Sequence, residues 1–435
     1  MSTNMVDFKA VNKIHMIGVG GIGMSGLARL FLYEGKKVSG SDRAPSLITN
    51  TLEQEGVKFF GSQTAENITS MTDIELVVYT EAMAKDHSEM VLAKELGVPM
   101  LNYFEALALV ANQYYLIAVA GTHGKTTTTA MLIDIFEEAG LDPTAIVGSL
   151  RAKTGSNYRA GKSKYFIVEA CEYKRDFLYL EPDVLVITNI EAEHLDYYKD
   201  LDDVQTAFRE LAIKVREGGV VVAQIADPNV ATVLEGLNVE VIDYKPYLDL
   251  LLPLKVPGVH NRMNAAAARA TAYKIGIADE VTKTALSNFV GTWRRFEYKG
   301  TLNGAPIYDD YGHHPTELTA TMSGARELYP DKKLIVVFQP HLYSRTAELF
   351  ENFVEALSQA DRVIVTHVYD ARDTGKQGVN GGTLAEAVAK INSKTTYIES
   401  FDDVVSELKS SVTKSDVVLI MGAGDVAKVA GELTK

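Results

Sequence analysis

The chain has 435 residues, of which 46% are hydrophobic and 23% charged, and a formal net charge of −14. That acidic balance excludes non-specific nucleic-acid binding, and no apolar run is long enough for a membrane span, so neither nucleic acid nor membrane is expected as a partner. The one cysteine, Cys171, excludes an intrachain disulfide, and Met1 to Lys13 lacks the apolar core of a signal peptide, so a cytoplasmic location is expected. Length alone suggests about three domains.

Lys13 to Ile17 reads as a strand that runs into Gly18-Val-Gly-Gly-Ile-Gly23-Met-Ser-Gly26. Gly18, Gly20 and Gly23 fit G-x-G-x-x-G, a helix follows through Leu27 to Tyr33, and a strand from Lys37 to Gly40 ends at Asp42. Strand, helix, strand and an acid about 20 residues on are the order of a nucleotide or dinucleotide site, with the acid on a ribose. The alternative is that the glycines only allow close helix–sheet packing. Strand and helix alternate again at Glu75–Tyr79, Ser88–Leu96, Val98–Leu101 and Phe104–Ala111, and a domain boundary is expected near Asn112.

The second segment opens with the apolar strand Tyr115–Ala120, breaks at Gly121, turns through Thr122, His123 and Gly124, and enters a helix at Lys125. Backbone N–H groups of such a turn and the positive end of the helix dipole together cradle a phosphate. Lys125 can reach the outer phosphates of ATP and the Thr126 hydroxyl can ligand Mg²⁺. The spacing departs from G-x-x-x-x-G-K-[ST] because Val119 stands where the first glycine belongs. Downstream, the strand Tyr165–Glu169 ends on a carboxylate, and the strand Val184–Asn189 runs into Ile190-Glu-Ala-Glu-His194-Leu-Asp196. Parallel strands expose their C-terminal ends on one edge, so Glu169 and His194 are expected beside the phosphate loop, completing a metal site with Thr126. Glu172 competes with Glu169 for that role, and Cys171 reads as a small buried filler. Asn261 and Asn264 stand at the start of an alanine-rich helix, where they either cap it or contact a base.

The segment Gly291 to Glu297 interrupts the helical pattern and reads as a connector carrying Arg294 and Arg295. Beyond it come strands at Ile307–Asp310, Lys333–Phe338, Arg362–Thr366 and Asp416–Met421, with helices at Pro315–Glu327, Leu349–Ala360 and Leu384–Ile391 and a last helix from Gly422. The loops Asp309-Asp310-Tyr-Gly-His313-His314-Pro and Gln339-Pro-His341-Leu-Tyr-Ser-Arg345 gather histidine, arginine and aspartate at strand ends, where ligands bind.

Taken together these motifs resemble the Mur ligase family over essentially the whole chain and in motif order. Gly121-Thr-His-Gly-Lys-Thr-Thr-Thr128 is similar to the family's phosphate loop, and Thr188-Asn189-Ile-Glu-Ala-Glu-His194 to its Thr-Asn-Ile segment, with Glu193 in place of the more frequent aspartate. His260-Asn261 with Asn264 resembles its adenine-side helix, and Arg294-Arg295-Phe296 its linker. The loops at 309–317 and 339–346, with Gly18–Gly26, resemble the alanine-adding branch in particular.

The resemblance implies an α/β fold of three domains. Residues 1–112 form a Rossmann-like UDP-sugar-binding domain, 113–293 a central ATP-binding domain of phosphate-loop type, and 294–435 a Rossmann-like amino-acid domain that closes over both. It implies an ATP-dependent, amide-forming ligase that uses Mg²⁺, UDP-N-acetylmuramate and L-alanine in peptidoglycan precursor synthesis, as a monomer or homodimer. ATP then lies on Gly121, Thr122, His123, Gly124, Lys125, Thr126 and Thr127, with Asn261, Asn264, Arg295 and Asp310. The UDP sugar lies on Gly18, Gly20, Gly21, Gly23, Met24, Ser25 and Asp42, with His314; the metal is held by Thr126, Glu169 and His194. Lys125, His194, His314, His341 and Arg345 carry the chemistry, with His314 or His341 a candidate base for the amine. Three alternatives remain at this point: a ligase that attaches a recycled murein tripeptide, a nicotinamide oxidoreductase built on the first glycine loop, and a nonenzymatic ATP-driven switch.

Overall fold

The computed structural model describes residues 6–71, 73–195, 197–370 and 378–435; Asp196, the end of the segment read above, lies outside them. Runs of β-branched residues without polar alternation, such as Val184–Ile187 and Val220–Ala223, are buried on both faces and pair in parallel. Three sheets result, separate in sequence and each with its own helices.

The first has five parallel strands in the order Lys58–Phe60, Lys37–Ser41, Lys13–Ile17, Leu76–Tyr79, Met100–Asn102. The strand order reverses between Lys13–Ile17 and Leu76–Tyr79, the switch point at which a doubly wound sheet opens a crevice for a ligand. The second sheet runs Glu240–Asp243, Val220–Ala223, Val184–Ile187, Tyr115–Ala120, Tyr165–Glu169, Thr144–Ile146, Tyr158–Arg159, and only the last pair is antiparallel. Its middle strand is Tyr115–Ala120, which carries the phosphate loop at its C-terminal end. The third runs Glu297–Leu302, Ala305–Asp310, Asp416–Met421, Lys333–Phe338, Arg362–Val365, Thr395–Tyr397, with the first pair antiparallel.

By packing, the chain divides into two compact units, 1–249 with 263–287, and 250–262 with 288–435. The first unit holds two of the sheets over one continuous apolar core that includes Met16, Phe31, Leu116, Phe166 and Phe208. Their junction is specific: Arg29 Nη1 donates to Asn157 Oδ1 (3.0 Å), and Asn157 Nδ2 donates to the Ile22 carbonyl. Near Asn112, where a boundary was expected, the side chain is tied to the second sheet's elements, donating to Tyr179 O and accepting from the Glu181 N–H, both at 3.0 Å. The second unit carries its core on both faces of the third sheet, with Phe338, Phe353 and Leu419 on one side and Ile307, Val337 and Ile420 on the other.

Local chemistry explains the element ends. Asn102 and Glu105 form a reciprocal cap on the helix Tyr103–Ala111, and Asp227 caps the helix that starts with Pro228. Asn303-Gly304, with φ of +50° and +81°, forms the two-residue turn between Glu297–Leu302 and Ala305–Asp310. The expected strands Lys13–Ile17, Tyr115–Ala120, Tyr165–Glu169, Lys333–Phe338 and Asp416–Met421 have those bounds in the structure. The last helix begins at Ala427, later than Gly422, because Gly422 has φ +143°.

Candidate functional site

Gly121, at φ +135°, takes the chain off its strand; a Cβ there would lie 1.9 Å from Thr188 Oγ1. Gly124, at φ +83°, precedes the helix Lys125–Glu138, and a Cβ there would lie 2.2 Å from Asn264 Oδ1. No side chain caps this helix, so its first N–H groups and its dipole serve the loop. The adjoining strand end clamps the loop from the side. Asn189 Oδ1 accepts the His123 N–H (2.9 Å), its Nδ2 donates to His123 O (3.0 Å), and Thr188 Oγ1 donates to the same carbonyl (2.5 Å). The Tyr244 hydroxyl in turn donates to Thr188 O (2.5 Å). The cradle is fixed by backbone contacts before any anion arrives.

Lys125 Nζ donates to Gly121 O (2.5 Å), Thr122 O (3.0 Å) and Glu172 Oε1 (2.9 Å). Burial opposes its charge, but the Glu172 carboxylate outweighs burial and holds the ammonium above its ordinary range. Burial likewise pushes Glu172 up, and Lys125 and His194 overcome it, so the carboxyl stays below its usual range. Thr126 Oγ1 donates to Glu169 Oε1 (3.0 Å), whose other oxygen accepts the Gly148 N–H (2.8 Å). His194, at φ +57°, has Nε2 3.6 Å from Glu172 Oε1. The ligand atoms of Glu172, Glu193 and His194 lie within 4.8 Å of one another. Sequence reasoning grouped Thr126, Glu169 and His194; the geometry pairs Thr126 with Glu169 and gathers His194 with Glu172 and Glu193. Burial pushes the half-buried Cys171 thiol up to about 12, which fits a filler and not a nucleophile.

In the first glycine loop, the Ser41 carbonyl accepts the Gly18 and Val19 N–H groups (2.8 and 3.0 Å) and Asp42 Oδ2 accepts the Gly20 N–H (2.8 Å). A Cβ on Gly20 would lie 2.7 Å from Asp42 Oδ2, and one on Gly23 would lie 2.9 Å from the Tyr103 ring. Asp42 thus shapes the loop with the oxygen expected to meet a ribose. Gly21 caps the helix Ile22–Tyr33 without a side chain. Met24 and Ser25 are buried inside that helix; the Ser25 hydroxyl donates to Ile22 O (2.8 Å) and its N–H to Gly21 O (2.8 Å).

Asn261 and Asn264 lie inside the helix Val259–Ile275 and do not cap it; Asn261 Nδ2 donates back to Pro257 O (2.7 Å), and Asn264 stands beside Gly124. In the second unit Arg294 is a buried pin: Nε donates to Asp309 (3.0 Å), and the two Nη groups donate to Gly424 O (3.0 Å) and Gly422 O (2.5 Å). This rules out a solvated charge for Arg294, whereas Arg295 is half-buried, 3.6 Å from Glu317 and over the Tyr311 ring. Asp310 accepts the Phe296 and Gly312 N–H groups, both at 2.8 Å.

All three histidines engage Nδ1, but against partners of opposite kind: donors for His314 and His341, a carbonyl for His313. His314 Nδ1 accepts the Thr316 N–H (3.3 Å), capping the helix Pro315–Leu328. His341 Nδ1 lies 3.1 Å from Arg345 Nη1, and a guanidinium only donates. Both rings therefore carry their proton on Nε2 when neutral, with Nδ1 engaged, and neither is set up as a base without exchanging a partner. His313 faces the Tyr311 carbonyl (3.1 Å), and burial pulls it down to about 3.

Asn189, Tyr244 and Gln339 were given no site role from sequence, whereas Glu172 was weighed there against Glu169 as a metal ligand. Gln339 is buried, accepting the Val426 N–H (3.0 Å) and donating to Asp425 (3.0 Å). Each of the three follows closely on a strand end, which was the available signal: Asn189 after Val184–Ile187, Gln339 after Lys333–Phe338 and Tyr244 after Glu240–Asp243.

Three α/β sheets in series, the second with a clamped phosphate loop and a buried lysine–carboxylate pair, define a nucleotide-using phosphoryl-transfer class of enzyme. Residues 13–115 match the "Mur ligase family, catalytic domain", 119–247 the "Mur ligase middle domain" and 294–424 the "Mur ligase, glutamate ligase domain". The chain belongs to the Mur ligase family. It is 40% identical to the UDP-N-acetylmuramate–L-alanine ligase of Lachnospira eligens over 99% of both chains. With the protein of that name from Caldanaerobacter subterraneus it shares 39%, covering 98% of this chain and 97% of that one. The crystal structure of UDP-N-acetylmuramate–alanine ligase from Thermotoga maritima superimposes with a TM-score of 0.81 at 28% identity, covering 97% of this chain and 98% of that one. A murein peptide ligase from Psychrobacter arcticus shares the fold, with a TM-score of 0.70 at 24% identity over 98% and 99% of the two chains.

Proposed function

We propose that the chain joins L-alanine to the lactyl carboxylate of UDP-N-acetylmuramate, with ATP cleaved to ADP and phosphate. Full-length similarity to ligases of that name carries the reading, and the phosphate loop gives it a physical basis. Residues 1–112 take the UDP sugar, 113–293 take ATP and 294–435 take the amino acid.

Carboxylate and amine do not condense unaided, because oxide is a poor leaving group. Transfer of the γ-phosphoryl to the carboxylate supplies a better one, and such transfer asks the protein mainly for positioning and charge neutralisation. Lys125 releases its loop carbonyls and turns to the β- and γ-phosphates, while Glu172 keeps it charged and close. The loop N–H groups hold the phosphates. Two groups offer the hard oxygens that fit Mg²⁺, Thr126 with Glu169 and Glu172 with Glu193; His194, beside the second, is the softer donor, and either group would hold the ion against the phosphates. When bound, the ion offsets charge on the phosphate oxygens. Arg345, with His341 against it, orients the carboxylate and the incoming amine. Since both His314 and His341 have Nδ1 engaged, desolvation of the amine is the simpler route to its free form.

The test is phosphate release from ATP with UDP-N-acetylmuramate and a varied amine. L-alanine should act far better than the tripeptide L-Ala-γ-D-Glu-meso-diaminopimelate. The reverse preference moves the assignment to a recycling ligase; release without any sugar nucleotide points to an ATP-driven switch.

A further inference from the structure

Beneath the first glycine loop lies a polar cluster that the proposed chemistry does not use. Glu89, in the first turn of the helix Ser88–Glu95, and His15, in the middle strand of the sheet, are both 0% exposed. Donors converge on the two Glu89 oxygens: Ser41 Oγ at 2.7 Å on Oε2, Asn67 Nδ2 at 2.6 Å on Oε1, and His15 Nε2 3.5 Å from Oε1. His87 Nδ1 stands 4.0 Å from Oε2, and His15 Nδ1 pairs with Ser39 Oγ (3.0 Å). A buried carboxylate on this scale is costly unless its hydrogen bonds fix something.

What they fix is the strand end that grips the loop. Ser41 spends its hydroxyl on Glu89 and its carbonyl on the Gly18 and Val19 N–H groups. Its neighbour Asp42 holds the Gly20 N–H. We infer that Glu89 is a positioning residue for the sugar-nucleotide loop, acting through Ser41 on the backbone of Gly18 to Gly20. The inference rests on the reading that this loop takes the UDP sugar. A glutamine at 89 keeps the shape but offers one acceptor oxygen and two unwanted N–H groups where donors already converge. Asn67 touches the same carboxylate from the side away from Ser41, anchored to Ser62 O (2.7 Å), and so separates support of the domain from support of the loop.

The experiment compares the full chain with Glu89→Gln, Ser41→Ala, their double variant and Asn67→Ala, reading kcat, both KM values and Tm. Glu89→Gln and Ser41→Ala should each raise the KM for UDP-N-acetylmuramate about tenfold, the size of one lost hydrogen bond to a charged group. The KM for ATP should stay unchanged, and the double variant should be no worse than the worse single. Asn67→Ala should lower Tm and leave both KM values alone. Parallel rises in both KM values, additivity in the double variant, or an Asn67→Ala that reproduces the sugar effect would overturn the inference. Should Glu89→Gln fail to fold, Ser41→Ala decides by itself: an unchanged sugar KM refutes the relay. An unmutated chain that does not bind the sugar nucleotide refutes the functional reading, and the inference with it.

Discussion

Lys125 Nζ and the Glu172 carboxylate lie 2.9 Å apart, and the Glu172 side chain is 2% exposed. The buried carboxylate holds the lysine protonated and ordered beside the loop, whereas a solvated lysine would have to be ordered at each turnover.

The first prediction follows from that pair. Lys125→Ala should reduce phosphate release by roughly 10²–10³, the loss typical when one donor to developing charge is removed. It also strands a buried carboxylate, so Tm should fall. UDP-N-acetylmuramate should still bind, because its loop lies on another sheet. Calorimetric titration and a steady-state assay check both halves; near-normal turnover would remove the phosphate loop from the chemistry.

The second concerns Gly20, where a Cβ would lie 2.7 Å from Asp42 Oδ2 and 2.9 Å from Thr49 Cγ2. Gly20→Val must therefore push Asp42 off the Gly20 N–H and reshape the loop. The KM for the sugar nucleotide should rise while ATP affinity changes little. NADH binding by the native chain, with none of the UDP sugar, would instead favour an oxidoreductase.

A third prediction comes from Asp176, a buried carboxyl in the segment after Glu172. Burial pushes it up to about 7; Glu81 adds to the rise and Lys174 opposes it. In the unfolded chain an aspartate ionises near pH ~4. Between those values the folded chain binds the extra proton, so this group lowers stability as pH rises through the window. Asp176→Asn should flatten that decline and melt higher than the parent at pH 8, by roughly 2–4 °C for each kcal/mol relieved. Parallel Tm–pH curves for the two proteins would show that Asp176 is not the titrating group.

The sequence made the sheets legible because their strands are apolar on both faces and end in punctuated loops. Tyr115–Ala120 and Val417–Met421 are unbroken apolar runs, and the glycines that follow them mark the strand ends. Short or peripheral strands were harder to read. Thr144–Ile146 and Lys58–Phe60 have three residues each, too short for periodicity, and Glu297–Leu302 alternates only weakly. Residue types at strand ends pointed to the site, but which carboxylate faces which partner depends on loop geometry. Tyr173–Tyr179 is a 3-10 helix kinked at Lys174 and Arg175 (φ +54° and +63°), and Glu172 at its head, rather than Glu169, meets Lys125. Nor could spacing reveal that Arg294, and not Arg295, is committed to holding Asp309 and two carbonyls.

The last prediction traces an oxygen atom. If the γ-phosphoryl passes to the muramoyl carboxylate, the bridging oxygen comes from that carboxylate. Amine attack at the acyl carbon then expels phosphate and takes the same oxygen with it. Substrate labelled with ¹⁸O in the carboxylate should give labelled inorganic phosphate in an L-alanine-dependent reaction, with ADP unlabelled. An adenylate route would put label in AMP and release pyrophosphate. Lys125 stands at the loop, where its Nζ bonds Gly121 O, and on the proposed reading a cation there would offset charge on the β- and γ-oxygens, which favours the first course. His341 and Arg345 sharpen the test. Their nitrogens lie 3.1 Å apart, so removing either breaks that bond. If the pair aligns the carboxylate for phosphorylation and again for the amine, His341→Ala and Arg345→Ala should depress labelled phosphate and amide by the same factor. Because His341 has its Nδ1 committed to Arg345, the loss in His341→Ala should not follow the ionisation of an imidazole, and its kcat–pH profile should keep the parent's shape. A variant that still releases labelled phosphate but forms no amide would place His341 in the second step alone, as a base. Label in AMP would rule out the acyl-phosphate route altogether.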